Sequence, residues 1–250
     1  MSLPQAERKP ASLQAMPHKP KPNQAATSSC GGVARFQARP VPLDLLEHIL
    51  QAGCDTQSSW NLRPWQFIVV RSEVKRDQVL RHCVESGPAA SAPVLIVGIA
   101  NPRAWKQAPE RLAELARHGR LAPDSHAAHL GRIHRQWSVG DAARVLAIAQ
   151  THGALQQICA SAASHALCAH WVNEFDGAAL ARALYVPDAL VIVGVLALGF
   201  CDQPASLPST PFARAIFSEA YGLPWGPVAE PAAAGGEAGD SNDPLTDWSR

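Results

Sequence analysis

The sequence predicts a domain with a central β-sheet that is covered by helices on both faces. Two segments, residues 94–100 and 190–198, are too continuously apolar for strands with one solvent-exposed face, so both are expected to be buried strands. Segments with helical spacing of their apolar residues lie between the apolar strands. Strands that alternate with helices are typical of a sheet packed between helical layers.

The elements follow one another in a regular order along the chain. The first helix is predicted from the spacing of Leu45, Leu46, Ile49 and Leu50, and Gly53 is expected to end it. A helix from Ser138 to about Asn173 is predicted as the longest element. Small residues surround its middle, which favours a central, closely packed position, and Gly153 is expected to break or bend it. The predicted strands are 67–70, 94–100 and 190–198, and the predicted helices are 42–53, 73–85, 105–118, 125–136, 138–173, 178–184 and part of 210–221.

Both ends of the chain have a composition that is typical of disorder. Residues 1–29 are rich in Pro, Lys, Gln, Ser and Ala, and residues 226–250 are acidic and rich in Ala and Gly. One folded domain, residues 30–225, is therefore expected between two disordered tails. The formal net charge is +1 at pH 7, without a cluster of basic residues, so a nucleic-acid partner is not expected.

The cysteines and the apolar segments indicate the cellular compartment in which the protein is expected. The six cysteines include no Cys-x-x-Cys pair and no zinc-finger spacing, so free thiols in a reducing compartment are predicted. No apolar run reaches the roughly 20 residues that span a bilayer, and the first residues lack the apolar core of a secretory signal. A cytoplasmic protein that is not held in a membrane is therefore expected.

Residues 58–70 form the most informative segment, because a polar turn leads through Pro64 into an apolar, β-branched stretch. Proline cannot donate to a sheet ladder, so Pro64 is expected just before the strand. Asn61 then places an amide donor and acceptor at the rim of the sheet, where binding groups are common. An alternative is a loop that contains a capping Asn61 and in which Trp60 and Trp65 close the core.

This segment resembles the flavin-contacting loop of the nitroreductase family, Ser-x-x-Asn-x-Gln-Pro-Trp-x-Phe. Ser58, Asn61, Pro64, Trp65 and Phe67 match the pattern. The resemblance covers about residues 30–225 and implies an α+β fold, a nitroreductase-like mixed α/β sandwich. It also implies a homodimer that holds FMN between its subunits, and a ping-pong transfer of hydride from NAD(P)H to a nitroaromatic, quinone or similar flat acceptor.

The start of the domain departs from the family pattern. The family usually opens with Arg-Arg-Ser-x-Arg-x-Phe, whose arginines hold the FMN phosphate, but this chain has Cys30, Gly31, Gly32 and Ala34 at those positions. Each lost Arg–phosphate pair could cost about 1.5–3 kcal/mol of binding energy. The backbone N–H groups of Gly31 and Gly32 could replace them as an anion nest, or the two glycines could simply end a flexible tail. Other candidates for the missing charge are Arg35, Arg39 and Arg214.

The resemblance assigns further roles within the segment. Asn61 is expected to hydrogen-bond the edge of the flavin ring, and the backbone of Pro64 and Trp65 to pass beside it. Arg63 replaces the usual Gln. Its cation could raise the reduction potential of a bound flavin, or it could form a salt bridge at the loop rim.

Histidines provide weaker signals. His165 and His170 are candidate proton donors, although a histidine on an alanine-rich helix is more often a hydrogen-bonded core residue. His126, His129 and His134 recur on one predicted helix without an acidic or Cys partner, so they are interpreted as solvated and not as metal ligands.

Three functions remain open at this point. The first is an FMN-dependent oxidoreductase of the nitroreductase type. The second is a non-catalytic protein of the same fold that has lost flavin affinity and acts as a binding or regulatory module. The third is a different flavin chemistry on the same scaffold. The missing arginines keep the second function open.

Overall fold

The computed structural model describes residues 35–84, 86–202 and 215–226. The chain divides into two compact units, Met1–Ser206 and Leu207–Arg250, so residues 215–226 belong to the second unit. The proposed tails and the candidate residues Gly31, Gly32 and Arg214 lie outside the described residues. In the first unit the strands are β1 (Trp65–Val70), β2 (Val94–Ala100), β3 (Cys168–Val172) and β4 (Val191–Gly199). The helices are α1 (Leu43–Cys54), α2 (Glu73–Leu80), α3 (Ala108–Arg117), α4 (His126–Trp137), α5 (Ala142–Ser164) and α6 (Gly177–Leu184).

The four strands form one antiparallel sheet in the order β1-β2-β4-β3. β1 runs from Trp65, opposite Ala100, to Val70, opposite Leu95. The strands β1 and β3 therefore form the two edges, and the residue that follows Pro64 begins the first edge strand. The predicted position of Pro64, just before the strand, is confirmed.

Helices cover both faces of the sheet, as the continuously apolar strands predict. Successive residues of β2 point to opposite faces, so Leu95 and Val97 pack with α2 and α6, while Val94 and Ile96 pack with α1 and α5. A third apolar cluster joins Leu62 of the loop before β1 to residues of α3, α4 and the first turns of α5. The expectation of an α+β sandwich is confirmed.

The long alanine-rich helix ends earlier than the sequence predicts. α5 stops at Ser164, Ala166 adopts a left-handed φ of 58°, and β3 begins at Cys168. The expected helix to Asn173 is therefore wrong, because a short apolar segment at the end of a helix does not show by its pattern that it changes to a strand. Gly153 does not interrupt α5.

Two cysteines form a disulfide, which corrects the prediction of free thiols. Cys168, the first residue of β3, is bonded to Cys201, which follows β4. Spacing could not indicate this pair, since the two residues are 33 positions apart and meet only because β3 and β4 are neighbours. The thiol of Cys83 is partly buried, and this burial raises its pKa.

The N-terminal end of the described chain is attached beside this disulfide. Phe36 is buried and forms an isolated β-bridge with Cys201, and the N–H of Gln37 donates to the carbonyl of Phe200 at 2.8 Å. The N–H of Phe36 also donates to Oγ of Ser91 at 2.9 Å. These contacts hold residues 35–37 against the end of β4.

The described part of the second unit, residues 215–226, is a turn that is closed by a β-bridge between Phe217 and Pro224. The rings of Phe217 and Tyr221 lie 4.8 Å apart inside this turn. Of the segment 210–221, which is expected to be helical in part, residues 210–214 lie outside the described residues, and residues 216–221 are not helical. No helix in the described residues is long and apolar enough to cross a bilayer.

Candidate functional site

The loop before β1 has an unusual backbone. Trp60, Asn61 and Arg63 adopt left-handed conformations, with φ of 55°, 56° and 45°. Asparagine tolerates this region better than most residues, but tryptophan and arginine rarely adopt it. Such residues cost about 1–3 kcal/mol each and persist where the surrounding structure holds them, often at functional sites. The loop is therefore the first candidate for a binding site.

Hydrogen bonds from three directions hold the loop in this conformation. The N–H of Arg63 donates to Oγ of Ser58 at 2.9 Å, which closes the turn. The N–H of Ser59 donates to Oε1 of Gln150 on α5 at 3.0 Å, and the Gln150 amide donates back to Oγ of Ser59 at 3.2 Å. The carbonyl of Pro64 accepts from the N–H of Asn101 at 2.7 Å, so the loop is fixed to the end of β2.

The side-chain amide of Asn61 has defined partners on both sides. Its Nδ2 donates to Oε2 of Glu114 on α3 at 3.3 Å, and its Oδ1 accepts from Nε of Arg63 at 3.0 Å. Because a primary amide has two N–H donors and two lone pairs, one donor and one acceptor position have no partner among the described residues. The half-buried Asn61 can therefore offer both a donor and an acceptor to a polar ring edge.

Glu114 links two arginines to this amide. Its Oε1 lies 3.8 Å from Nη2 of Arg63, and its Oε2 lies 3.3 Å from Nη1 of Arg111. The three side chains are 26–42% exposed, so solvent screens these ion pairs, and each is expected to contribute no more than about 1 kcal/mol of stability. Of the two alternatives for Arg63, the salt bridge at the loop rim is present.

Two aromatic contacts join α4 to the loop and to Trp105. The ring of Trp60 lies 4.8 Å from the ring of His129, and the ring of Trp105 lies 5.5 Å from that of His134. The interpretation of His129 as solvated is wrong, since it is half-buried and its Nδ1 is a buried atom without a hydrogen-bond partner in the described structure. Its ring packs on Trp60, a contact that sequence spacing does not reveal.

The two candidate proton donors lie away from this loop. His165 is exposed after α5, with its ring 5.0 Å from that of His48 on α1. His170 lies on β3, at the opposite edge of the sheet from β1, which corresponds to about 14 Å across three strand spacings. Burial lowers the pKa of His170, so this ring is neutral over a wider pH range than a free histidine. Within one chain, neither histidine joins Asn61.

Sequence reasoning located the loop but not its supports. Glu114, Arg111 and Gln150 lie 50 or more residues from Asn61 in sequence, and all three are polar residues on helices with no motif around them. On an amphipathic helix such residues look like ordinary solvent-facing positions. Only the packing of α3 and α5 against the loop gives them a role.

The described residues differ in how well they suit the ring of FMN and its phosphate. The open donor and acceptor of Asn61 match the polar edge of a flavin ring, and the loop that carries them is held rigidly. At the phosphate end, the structure describes Arg35 and Arg39, which are both exposed, while the other candidate phosphate contacts Gly31, Gly32 and Arg214 lie outside the described residues. The hydrogen-bonding groups of Asn61 therefore suit the polar edge of the FMN ring, whereas the phosphate end is described only at Arg35 and Arg39.

Comparison with known proteins identifies the family of this chain. The sequence profile of the nitroreductase family matches residues 33–200. The "Putative NAD(P)H nitroreductase YodC" of Bacillus subtilis is 23% identical over 168 residues, which cover 66% of this chain and 82% of that protein. A "NADH dehydrogenase" of Thermus thermophilus is 34% identical over 65 residues, but the match spans only 32% of its length and 26% of this chain.

Solved structures share the fold at low sequence identity. A "putative nitroreductase in complex with FMN" from Exiguobacterium sibiricum aligns with a TM-score of 0.66 at 15% identity, covering 74% of this chain and 90% of its own. A nitroreductase-like protein from Streptococcus mutans aligns with a TM-score of 0.69 at 17% identity, covering 76% and 95%. At these identities the likeness shows the fold alone.

Proposed function

Because this chain belongs to the nitroreductase family, we propose that it is an FMN-dependent oxidoreductase that moves a hydride from NAD(P)H to a flat electron acceptor. Nitroaromatics and quinones are the acceptor classes that we expect. When bound, FMN would supply the redox chemistry, accepting the hydride from NAD(P)H and passing it to the acceptor in a ping-pong sequence. The protein would bind and orient the reactants and exclude water.

The observation that carries this proposal is the strained and firmly held loop at the start of β1. It combines three left-handed residues with the amide of Asn61, which keeps one donor and one acceptor position open. A fixed amide can orient a ring without the entropic cost of ordering a mobile side chain. We assign Asn61 to the polar ring edge, the backbone of Pro64 and Trp65 to the side of the ring, and Ser58 to the turn that shapes the loop.

Arg63 has a second role in this proposal. Its guanidinium orients Asn61 through the 3.0 Å hydrogen bond, and Glu114 at 3.8 Å offsets part of its positive charge. We therefore expect Arg63 to influence the reduction potential of a bound flavin less than an unpaired cation would. Its main contribution would be to fix the direction in which the amide points.

The phosphate of FMN would need contacts other than arginine side chains at positions 30–34, since the arginines usual in the family are absent there. We assign this role to the backbone of Gly31 and Gly32, to Arg35 and to Arg214. Replacing Arg214 with Ala should weaken binding of FMN more than binding of riboflavin, which has no phosphate. Equal losses for the two flavins would exclude Arg214 from the phosphate site.

We further propose a homodimer. In one chain, Asn61 lies beside edge strand β1, and the candidate proton donor His170 lies on the other edge strand. A second copy could bring the β3 side of one subunit to the loop of the other. Size-exclusion chromatography with light scattering tests this proposal, and a monomer that retains flavin would contradict it.

The decisive test is whether the purified protein carries a flavin. Protein with bound FMN should absorb at about 450 nm, and it should lose this band on denaturation and filtration. Protein without the band should recover it with added FMN, and NAD(P)H should then bleach it under anaerobic conditions. A colourless protein that takes up no added FMN would contradict the proposal that this chain is an FMN-dependent enzyme.

A second candidate function is a non-catalytic protein of the same fold. Two observations favour it: the three arginines are missing from positions 30–34, and half of the hydrogen-bonding capacity of Asn61 is used inside the protein. This candidate predicts the colourless outcome of the same test.

A further inference from the structure

A cleft at the far end of β1 from Asn61 has a lining that the proposed function does not use. It lies between residues 37–41, the start of α2 and residues 91–94, and its volume is about 520 Å³. Three of its lining side chains are arginines: Arg39, Arg71 and Arg76. Glu73 is the acidic residue among the described lining residues, so the positive charge exceeds the negative charge.

Among the described residues, no ion pair neutralises the positive charge of this arginine cleft. The salt bridges among the described residues involve Arg63, Arg111 and Glu114, and none of these lines the cleft. Glu73 lies in the same lining but has no cationic nitrogen within 4.0 Å among the described residues. Three guanidiniums that share one cavity without a paired carboxylate create an electrostatic potential that favours an anion.

Two of these guanidiniums are held in place by uncharged partners. Cζ of Arg39 lies 3.9 Å from the centroid of the Phe200 ring, a cation–π contact. Nη1 of Arg76 donates to the carbonyl of Arg71 and, at 3.3 Å, to the carbonyl of Pro93. An aromatic face and two carbonyls orient the guanidiniums but leave their charge available. The cleft is therefore organised before any ligand arrives.

We propose that the arginine cleft binds a small phosphorylated molecule through its phosphate groups. Guanidiniums form bidentate, charge-assisted hydrogen bonds with phosphate, and several of them around one cavity are typical of phosphate recognition. A volume of about 520 Å³ is larger than a single inorganic phosphate needs and lies in the range for small-molecule sites. The chemistry that selects the ligand is a di- or polyanionic phosphate.

The cleft is independent of the proposed flavin loop within one chain. Asn61 precedes Trp65 at one end of β1, whereas Arg71 follows Val70 at the other end. The five residue steps of the strand separate the two regions by roughly 17 Å. Phosphate binding in the cleft can therefore be tested on flavin-free protein, and its failure would leave the assignment of Asn61 to the flavin ring unaffected.

Isothermal titration of the full-length protein with pyrophosphate, and separately with ADP, tests the proposal. We expect saturable one-to-one binding that weakens as the salt concentration rises. Replacing the exposed Arg71 with Gln should weaken pyrophosphate binding roughly tenfold or more. Replacing it with Lys should retain part of the affinity that the Gln variant loses. Tighter binding of ADP than of pyrophosphate would identify an organic phosphate as the ligand, and equal binding would identify the phosphate groups alone.

Arg117→Gln is the matched control, because it removes the same charge from an exposed position at the end of α3. It should leave pyrophosphate binding unchanged, and thermal unfolding should confirm that each variant is folded. Absence of saturation at about 10 mM pyrophosphate would overturn the proposal. An equal loss of affinity in Arg71→Gln and Arg117→Gln would also overturn it, since the attraction would then come from net charge and not from the cleft.

Discussion

The side-chain amide nitrogen of Asn61 lies 3.3 Å from Oε2 of Glu114, although the two residues are 53 positions apart in the sequence. This contact joins the loop before β1 to α3. Since Arg63 donates to the same amide from the other side, the direction of the Asn61 amide is set by two charged groups. Helix α3 is thus part of the candidate site even though it carries no recognisable motif.

Replacing Asn61 with Gly should lower flavin retention and leave the fold intact. Glycine adopts a φ of 56° without strain, so the loop backbone is expected to keep its shape while the amide is lost. Asn61→Ala should be less stable than Asn61→Gly, because a left-handed alanine costs about 1 kcal/mol. Flavin occupancy from the visible spectrum and the melting temperature from circular dichroism measure the two effects.

Gln66→Ala provides the control for this loop variant, since Gln66 is exposed on the adjacent strand. It should retain as much flavin as the unmodified protein. Full flavin occupancy in Asn61→Gly would remove Asn61 from the binding site.

The two substitutions of Glu114 should separate its roles. Glu114→Gln keeps an oxygen that can accept from Asn61, so flavin retention should stay close to normal. Glu114→Ala removes that acceptor and should lower flavin retention. Both should reduce the free energy of unfolding by no more than about 2 kcal/mol from the two lost ion pairs, because each partly exposed pair contributes at most about 1 kcal/mol. Equal flavin loss in Gln and Ala variants would contradict a positioning role through the acceptor.

Breaking the disulfide should destabilise the protein. The bond between Cys168 and Cys201 closes a loop across a sequence separation of 33 residues, and a disulfide of this span is expected to stabilise by about 2–4 kcal/mol. Cys201→Ala should therefore lower the denaturant midpoint, and dithiothreitol should have the same effect on the unmodified protein. Thiol titration of the denatured protein should rise by two groups after reduction. An unchanged thiol count would mean that the pair is reduced.

Histidine 170 should make stability depend on pH in a defined direction. Burial lowers the pKa of His170, so the unfolded chain takes up this proton at a higher pH than the folded chain does. The stability that the folded protein gains from neutral His170 is fully present above the ordinary pKa near 6.5. It is lost as the pH falls through 6.5 toward the lowered pKa. Denaturant titrations between about pH 7.5 and 5 should show that His170→Gln loses less stability on acidification than the unmodified protein does. Parallel curves for the two proteins would contradict this assignment.

Local patterns were sufficient to predict most of the fold. Apolar periodicity located α1, α4 and the central strands, since burial on one or both faces leaves a repeat in the sequence itself. Pro64 marked the boundary between loop and strand because proline excludes itself from a ladder. The change from α5 to β3 was missed, since a short apolar segment fits either conformation until its neighbours are known.

The sequence by itself determined the layered fold, the position of the loop at the rim of the sheet and the family, because each depends on residues that are close together in the chain. Only the tertiary structure decided which groups surround that loop. Glu114 reaches Asn61, Cys201 meets Cys168, and Arg39 shares a cleft with Arg71 because strands and helices from distant parts of the chain pack together. Such contacts form between side chains whose separation in sequence carries no period, so no local pattern records them.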